Sequence, residues 1–216
     1  MAAFTVHGSP FSPYVRAVLI ALAEKGEEGV VQPTAPGGLR SEAHLKLHPF
    51  GLIPVLQHGD FTLYESQAIL RYLDRLLPAP PLTPGDIRLA ARMDQVMNIT
   101  DHYLMQGVGR VIGFQRIVGP MLMGHVPDLD VIAEAMPRAH NVVRVLDAML
   151  ADQAFFAGDT LSLADILVVP HLNLLALTPE WAELSAAAPE LLAWQARMNA
   201  RPSLLKVNLP LPLPTR

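Results

Sequence analysis

The chain has 216 residues, 51% of them hydrophobic, and 16 Lys and Arg against 20 Asp and Glu leave a formal charge of -4. That length buries a sizeable core in one large domain or two modest ones, while the scattered basic residues form no patch able to follow phosphates, which excludes nucleic acid as a partner. With no cysteine, no apolar run near the roughly 18 residues of a membrane span and no signal pattern in MAAFTVHG, a soluble, cytoplasmic protein is expected, with no membrane partner, and any thiol chemistry must use a borrowed thiol.

In chain order, AAFTVHG reads as a short strand ending at Gly8, and SPFSP as a turn. Ser12 suits the N-cap and Pro13 the first position of a helix that carries Val15, Val18, Leu19 and Leu22 at helical spacing and stops at Lys25-Gly26. Residues 28–33 (EGVVQP) suit a second strand, followed by a Gly/Pro loop from Ala35 to Leu39 and a short helix from Ser41 to Leu47. In HPFGLIPVLQHGDFTLYES two apolar runs flank His58-Gly59-Asp60, a hairpin signal. The following ESQAILRYLDRLL puts Ile69, Tyr72, Leu73 and Leu76 on one helical face, which completes the order βαβαββα over residues 1–77.

PAPPLTPG, residues 78–85, cannot continue a helix, because its four prolines remove donors and fix φ, so a domain boundary is expected there. Beyond it no strand pattern returns. Residues 86–117, 128–151, 162–176 and 189–200 carry helical periodicity, with breaks expected at Gly107, Gly109, Pro137 and Pro189. In GDTLSLADILVV, Ser162 and Asp165 fit a capping box, and Leu161 can staple onto Ile166. The tail PLPLPTR is expected to be extended or mobile.

Three places could carry chemistry. A cis bond at Ile53-Pro54 would leave the Ile53 N–H and C=O facing outward, free to pair with a short extended peptide, whereas a trans bond would make Pro54 an ordinary edge or turn proline. Glu65-Ser66 opens a helix whose free N–H groups suit a carboxylate; the Ser66 hydroxyl adds a donor and Glu65 can receive an ammonium, which together match the α-amino-acid end of a γ-glutamyl peptide. The alternative there is a plain N-cap pair. Ser9 and Ser12 lie at the first strand-to-helix turn. As a cap, Ser12 would use its oxygen as acceptor and keep its O–H to stabilise the thiolate of a bound thiol, and as a bland alternative both serines are turn residues.

SPFSPYVRAVLIALAEKG, the HPFGLIPVL proline, LYESQAILRYL, the proline linker and GDTLSLADI stand in the order and spacing of a known family. On these motifs the chain resembles cytosolic glutathione transferases of the serine type, theta- or phi-like bacterial members, across essentially its whole length. The resemblance implies a thioredoxin-like N-terminal α/β domain (1–77) holding glutathione, a linker (78–85) and an all-α C-terminal domain (86–216) lining the pocket of a small hydrophobic electrophile. It also implies a cis bond at Pro54, a homodimer, and glutathione held by Ile53, Pro54, Glu65 and Ser66. Ser12, four residues before Arg16 in S-P-Y-V-R-A-V, looks like the catalytic serine of the theta and phi classes. Ser9, in S-P-F, stands where omega-like members place a cysteine and is the second catalytic candidate. The implied reaction is attack of the glutathione thiolate on the electrophile; a non-catalytic scaffold of the same fold, or a glutathione-dependent isomerase, dehalogenase or peroxidase, are the alternatives.

Two departures stand out. Similar proteins carry Lys or Gln two residues before the cis proline to hold the glycine carboxylate; here that residue is Leu52, and Arg40 is the candidate replacement. The asparagine common in N-P-F-G is His48. His44 and His48 have the i, i+4 spacing of a metal pair, but no third ligand is evident and no metal is expected. Gly107-Val-Gly109-Arg-Val-Ile-Gly113 misses the G-x-G-x-x-G spacing of a dinucleotide loop. Met93, Met97 and Met105 read as core or as the wall of a broad apolar pocket, which Tyr103, Gln106, Arg110 and Phe114 would reach by helical position.

Overall fold

The computed structural model describes residues 3–35 and 37–207, and the proline-rich tail lies outside them. The described residues divide into two compact units: one comprises those up to Leu82 together with Pro202–Val207, the other Thr83–Arg201.

The first unit is built on four strands, β1 (Phe4–His7), β2 (Gly29–Gln32), β3 (Val55–His58) and β4 (Phe61–Tyr64), in the order β2-β1-β3-β4. Phe4 and Val6 are buried and Thr5 and His7 half-buried, the period of two that a strand imposes. β2 runs parallel to β1, and a parallel pair needs a crossover, which α1 (Pro13–Glu24) supplies. β1 with β3 and β3 with β4 are antiparallel, the last two joined by the expected tight turn at Gly59-Asp60. Val15, Val18, Ile20 and Leu22 of α1 are almost completely buried, each contributing about 1.5–3 kcal/mol. α2 (Glu42–Leu47) is capped by Ser41, whose Oγ accepts the His44 N–H.

α3 (Ser66–Leu76) packs on α1. Its buried stripe is Ile69, Leu70, Leu73 and Asp74 rather than the expected face with Tyr72 and Leu76, and Leu76 is 37% exposed. Asp74 turns inward to the Lys25 ammonium at 2.6 Å, a polar core position that a count of hydrophobic residues passes over. The last described helix, Pro202–Val207, also packs on α1, with Ser203 donating to Glu24 and Lys206 paired with Glu28. The sequence grouped it with residues 86–216.

In the second unit, α4 (Ile87–Ile99) is capped by Asp86, whose carboxylate accepts the Arg88 and Leu89 N–H groups. It runs directly into a π-helix, Thr100–Val118, and then α5 (Gly119–Met123). α6 (Leu129–Leu150), α7 (Leu163–Leu175), α8 (Trp181–Ser185) and α9 (Pro189–Asn199) complete the unit. The expected breaks at Gly107, Gly109 and Pro137 do not occur, and Pro189 alone stands at a boundary, inside the first turn of α9. Packing of Ile132, Ala135, Ala139 and Val142 outweighs the roughly 3 kcal/mol local cost of Pro137 within α6. The capping box is present as expected: Asp165 accepts both the N–H and the hydroxyl of Ser162. No described helix is long and apolar enough to cross a membrane.

Candidate active site

His7, Val55 and Tyr64 form one row across β1, β3 and β4. The residues next to them, Gly8 through Ser12, Ile53-Pro54 and Glu65-Ser66, therefore emerge together at one end of the sheet. α1 and α3 start there as well, so two helix N-termini, each with unpaired N–H groups and a positive dipole end, flank the same edge. Gly8 draws the first two segments into contact. Its φ is +146°, and an added Cβ would lie 2.6 Å from Val15 Cγ2 and 3.0 Å from Ile53 Cβ, so a side chain there would force the segments apart.

The Ile53-Pro54 peptide is cis, as the resemblance implies. Neither the N–H nor the C=O of Ile53 is bonded to another described residue, which leaves a short edge open to an extended chain. On one side of it stands Ser12, at the N-cap position of α1 with φ -68° and ψ 127°. The sequence made its hydroxyl a cap, but it makes no cap hydrogen bond; the turn is closed by the Ser12 main chain, whose N–H donates to Ser9 O and whose C=O accepts from Arg16 N. The Ser12 hydroxyl is thus unengaged, whereas the Ser9 Oγ accepts the Phe11 N–H at 3.3 Å. That bond ties Ser9 into the turn and leaves its O–H free to donate. Arg16, buried beneath the loop, donates its Nε–H to Pro10 O at 3.0 Å, and burial lowers its pKa. The i+4 spacing of Arg16 from Ser12 was visible in the sequence; its role as a clamp on the loop was not.

On the other side stand Glu65 and Ser66. Glu65 has φ 70° and ψ 111°, a conformation that costs a non-glycine residue about 1–3 kcal/mol and persists where surrounding structure imposes it, typically at ligand sites. Its carboxylate is exposed and forms no ion pair among the described residues, and the Ser66 hydroxyl at the start of α3 is likewise unengaged. Arg40, at the end of a 3-10 turn (Gly38–Arg40), is exposed and reaches the segment before the cis proline: a Cβ on Gly51 would lie 3.3 Å from its Nη1. Leu52 is 44% exposed, and its carbonyl accepts the His44 Nε2–H at 2.8 Å. His44 therefore fixes the strand edge, and no group of three or more metal-ligating side chains occurs among the described residues.

The four residues expected to line an electrophile pocket lie on the π-helix. Tyr103, Gln106 and Arg110 are exposed, and Phe114 is half-buried with its ring 5.7 Å from that of His125. A different set, Leu104, Met105, Gly109 and Gly113, lines a crevice with His171 and Leu174 of α7. Its cavity volume of about 10 Å³ holds at most one water. The buried residues Thr100, Leu104, Val108, Ile112 and Ile117 recur every four to five positions rather than every 3.6, as the wider winding of a π-helix requires.

His171 is buried beside that crevice, its Nδ1 donating to Leu167 O at 2.8 Å. Burial pushes its pKa down to about 4, against the pull of the Leu167 hydrogen bond and of Asp101. An unfolded imidazole takes up a proton at about 6.5, so stability is intact above that pH and is lost as the pH falls through about 4, some 3 kcal/mol in all. The raised carboxyl of Asp165 opposes this trend. The test is therefore a difference: in denaturant titrations from pH 7 to 4, His171→Phe should lose stability less steeply than the parent, and parallel slopes would contradict the assignment.

Comparison with known proteins places this geometry in context. Family models described as glutathione S-transferase, N-terminal domain and C-terminal domain match residues 11–76 and 113–202. The chain is 32% identical to the probable glutathione S-transferase GSTF2 of Oryza sativa subsp. japonica over 209 residues, 96% of each chain. It superposes on glutathione S-transferase III in apo form with a TM-score of 0.87 at 33% identity, covering 100% of both chains. Glutathione S-transferase I from mais, in complex with an atrazine glutathione conjugate, gives a TM-score of 0.84 at 32% identity, covering 95% of this chain and 96% of that one.

Proposed function

Because this chain belongs to the glutathione S-transferase family, we propose that glutathione lies extended along Ile53 with its thiol at Ser12. The protein is an enzyme, a glutathione transferase, and glutathione is its co-substrate. The cysteinyl main chain pairs with the Ile53 N–H and C=O beside Pro54. The γ-glutamyl carboxylate meets the α3 N-terminus and the Ser66 hydroxyl, while its ammonium meets Glu65. Arg40 takes the glycine carboxylate in place of the residue that Leu52 replaces.

A free thiol has a pKa of about 8.5 and is mostly protonated at neutral pH. The Ser12 O–H, donating to sulfur at the positive end of α1, favours the thiolate, and about 1.4 kcal/mol of such preference makes the thiol ten times more acidic. The thiol proton passes to solvent, and the thiolate attacks the electrophilic carbon, forming a C–S bond as the leaving group departs with its electron pair or as charge moves onto the acceptor. The exposed face of the π-helix, with Tyr103, Gln106, Arg110 and Phe114, offers the aromatic and polar surface for a small hydrophobic electrophile. We place the enzyme with the serine-type members of theta- and phi-like kind, acting as a cytoplasmic homodimer.

One observation carries the reading: an unengaged Ser12 hydroxyl at a helix N-terminus beside the open Ile53 edge. Ser12→Ala should lower kcat with a chloronitroaromatic substrate about 10- to 100-fold, the scale of losing one donor to a developing anion, and leave glutathione binding by calorimetry within about twofold. Unchanged turnover would remove Ser12 from the mechanism.

A further inference from the structure

His48 is a buried polar residue of this edge that the reaction does not use. It is 2% exposed, and its Nδ1 is buried with no hydrogen-bond partner. The ring lies 4.7 Å from that of Tyr64, the residue before Glu65, and 6.2 Å from Phe50. Its main chain is pinned on both sides, the N–H donating to His44 O and the C=O accepting from Gly51 N, so the ring is held in its slot. A buried polar atom left unpaired costs about 1–3 kcal/mol and calls for an explanation.

We propose that His48 is a positioning residue that makes capture of the γ-glutamyl ammonium by Glu65 depend on pH, with the neutral imidazole as the binding-competent form. This rests on the assignment of Glu65 to that ammonium. The titratable and charged groups facing the ring are Glu65 at the start of α3, Tyr64 from β4 and His44 from α2, whose ring is 6.4 Å away. A proton on His48 adds a second N–H donor to a slot without an acceptor and sets a cation against Glu65, the carboxylate the ligand needs. The imidazolium and the ligand ammonium then compete for one negative charge. Linkage makes the effect reciprocal: an ammonium seated at Glu65 makes His48 harder to protonate.

Burial lowers the pKa of His48 from the ordinary 6.5, Glu65 raises it and His44 lowers it further. The ring is therefore neutral at neutral pH, and the effect belongs to the acid side of 6.5.

The test uses the full chain and S-methylglutathione, which has no thiol to titrate. Calorimetric Kd values should weaken at least threefold between pH 7 and 5, and His48→Asn should flatten that dependence. In the unmodified protein, the NMR-monitored pKa of the His48 imidazole should fall when S-methylglutathione saturates the site. Parallel pH dependence in His48→Asn, or an imidazole pKa indifferent to ligand, overturns the role of His48 while leaving the site in place. Failure of S-methylglutathione to bind at any pH overturns the site assignment itself, and this role with it.

Discussion

Replacing Asp165 with alanine is expected to destabilise the helical unit by about 4–6 kcal/mol, enough to leave it largely unfolded. The carboxylate is completely buried and accepts four hydrogen bonds, from Phe156 N, Ser162 N, Ser162 Oγ and Trp194 Nε1. It thereby joins three parts of the unit: the segment before α7, the first turn of α7, and α9 through Trp194. Burial raises the carboxyl pKa and the four donors pull it back, so the group is held by its partners rather than by solvent. Alanine leaves four donors unpaired around a cavity, and each orphaned donor costs about 1–3 kcal/mol before relaxation. Asp165→Asn keeps one acceptor oxygen but turns an NH2 toward other donors, and should fall between the parent and alanine. Denaturant unfolding followed by Trp194 fluorescence measures this directly. A loss below about 1 kcal/mol for alanine would show that the network is dispensable.

The second large effect concerns the buried pair in the first unit. Lys25 Nζ lies 2.6 Å from Asp74 Oδ1 with its side chain 0% exposed, and the same ammonium bonds Pro80 O while Asp74 accepts the Leu82 N–H. One ion pair thus pins α1, α3 and the proline segment after α3. Removing one partner strands a charge in the core, so Asp74→Ala should cost about 3–5 kcal/mol. Lys25→Met with Asp74→Leu should recover most of that loss, since two apolar groups of similar volume avoid the desolvation penalty. If the double variant were less stable than Asp74→Ala alone, the pair would be contributing more than its own burial costs.

These two networks show where the sequence was informative. Asp165 was legible because a capping box is local: Ser162 and Asp165 sit three residues apart at the start of an apolar run. The bonds from Phe156 and Trp194, which make the residue so costly to lose, come from 9 and 29 residues away. Lys25 read as part of a helix stop and Asp74 was not singled out, because nothing within one helix turn of either indicates a partner 49 residues distant.

The candidate site divides the same way. Pro54, Glu65 and Ser66 stood out as candidates from short-range patterns, a proline before a strand and an acid-serine pair opening a helix, while the cis bond, which the structure has, and the choice of Arg40 came from the resemblance. Ser12 was placed at the N-cap correctly and its hydroxyl was not, since whether a hydroxyl caps depends on torsions that residue type leaves open. The winding of Thr100–Val118 as a π-helix was not legible in its spacing, because residue type leaves open the choice between i+4 and i+5 bonding in a segment that packs on α6 and α7.

By itself the sequence determined the βαβαββα order of the first unit, the helical character of the second and the capping box at Ser162, since all of these follow from chemistry within a few residues. The tertiary structure alone decided that His7, Val55 and Tyr64 share a row, that Gly8 brings the Ser12 loop against Ile53, and that His48 is sealed against Tyr64, the residue before Glu65. Strand register and close packing join residues dozens of positions apart, and the energies that select among such pairings do not exist until the chain has closed on itself.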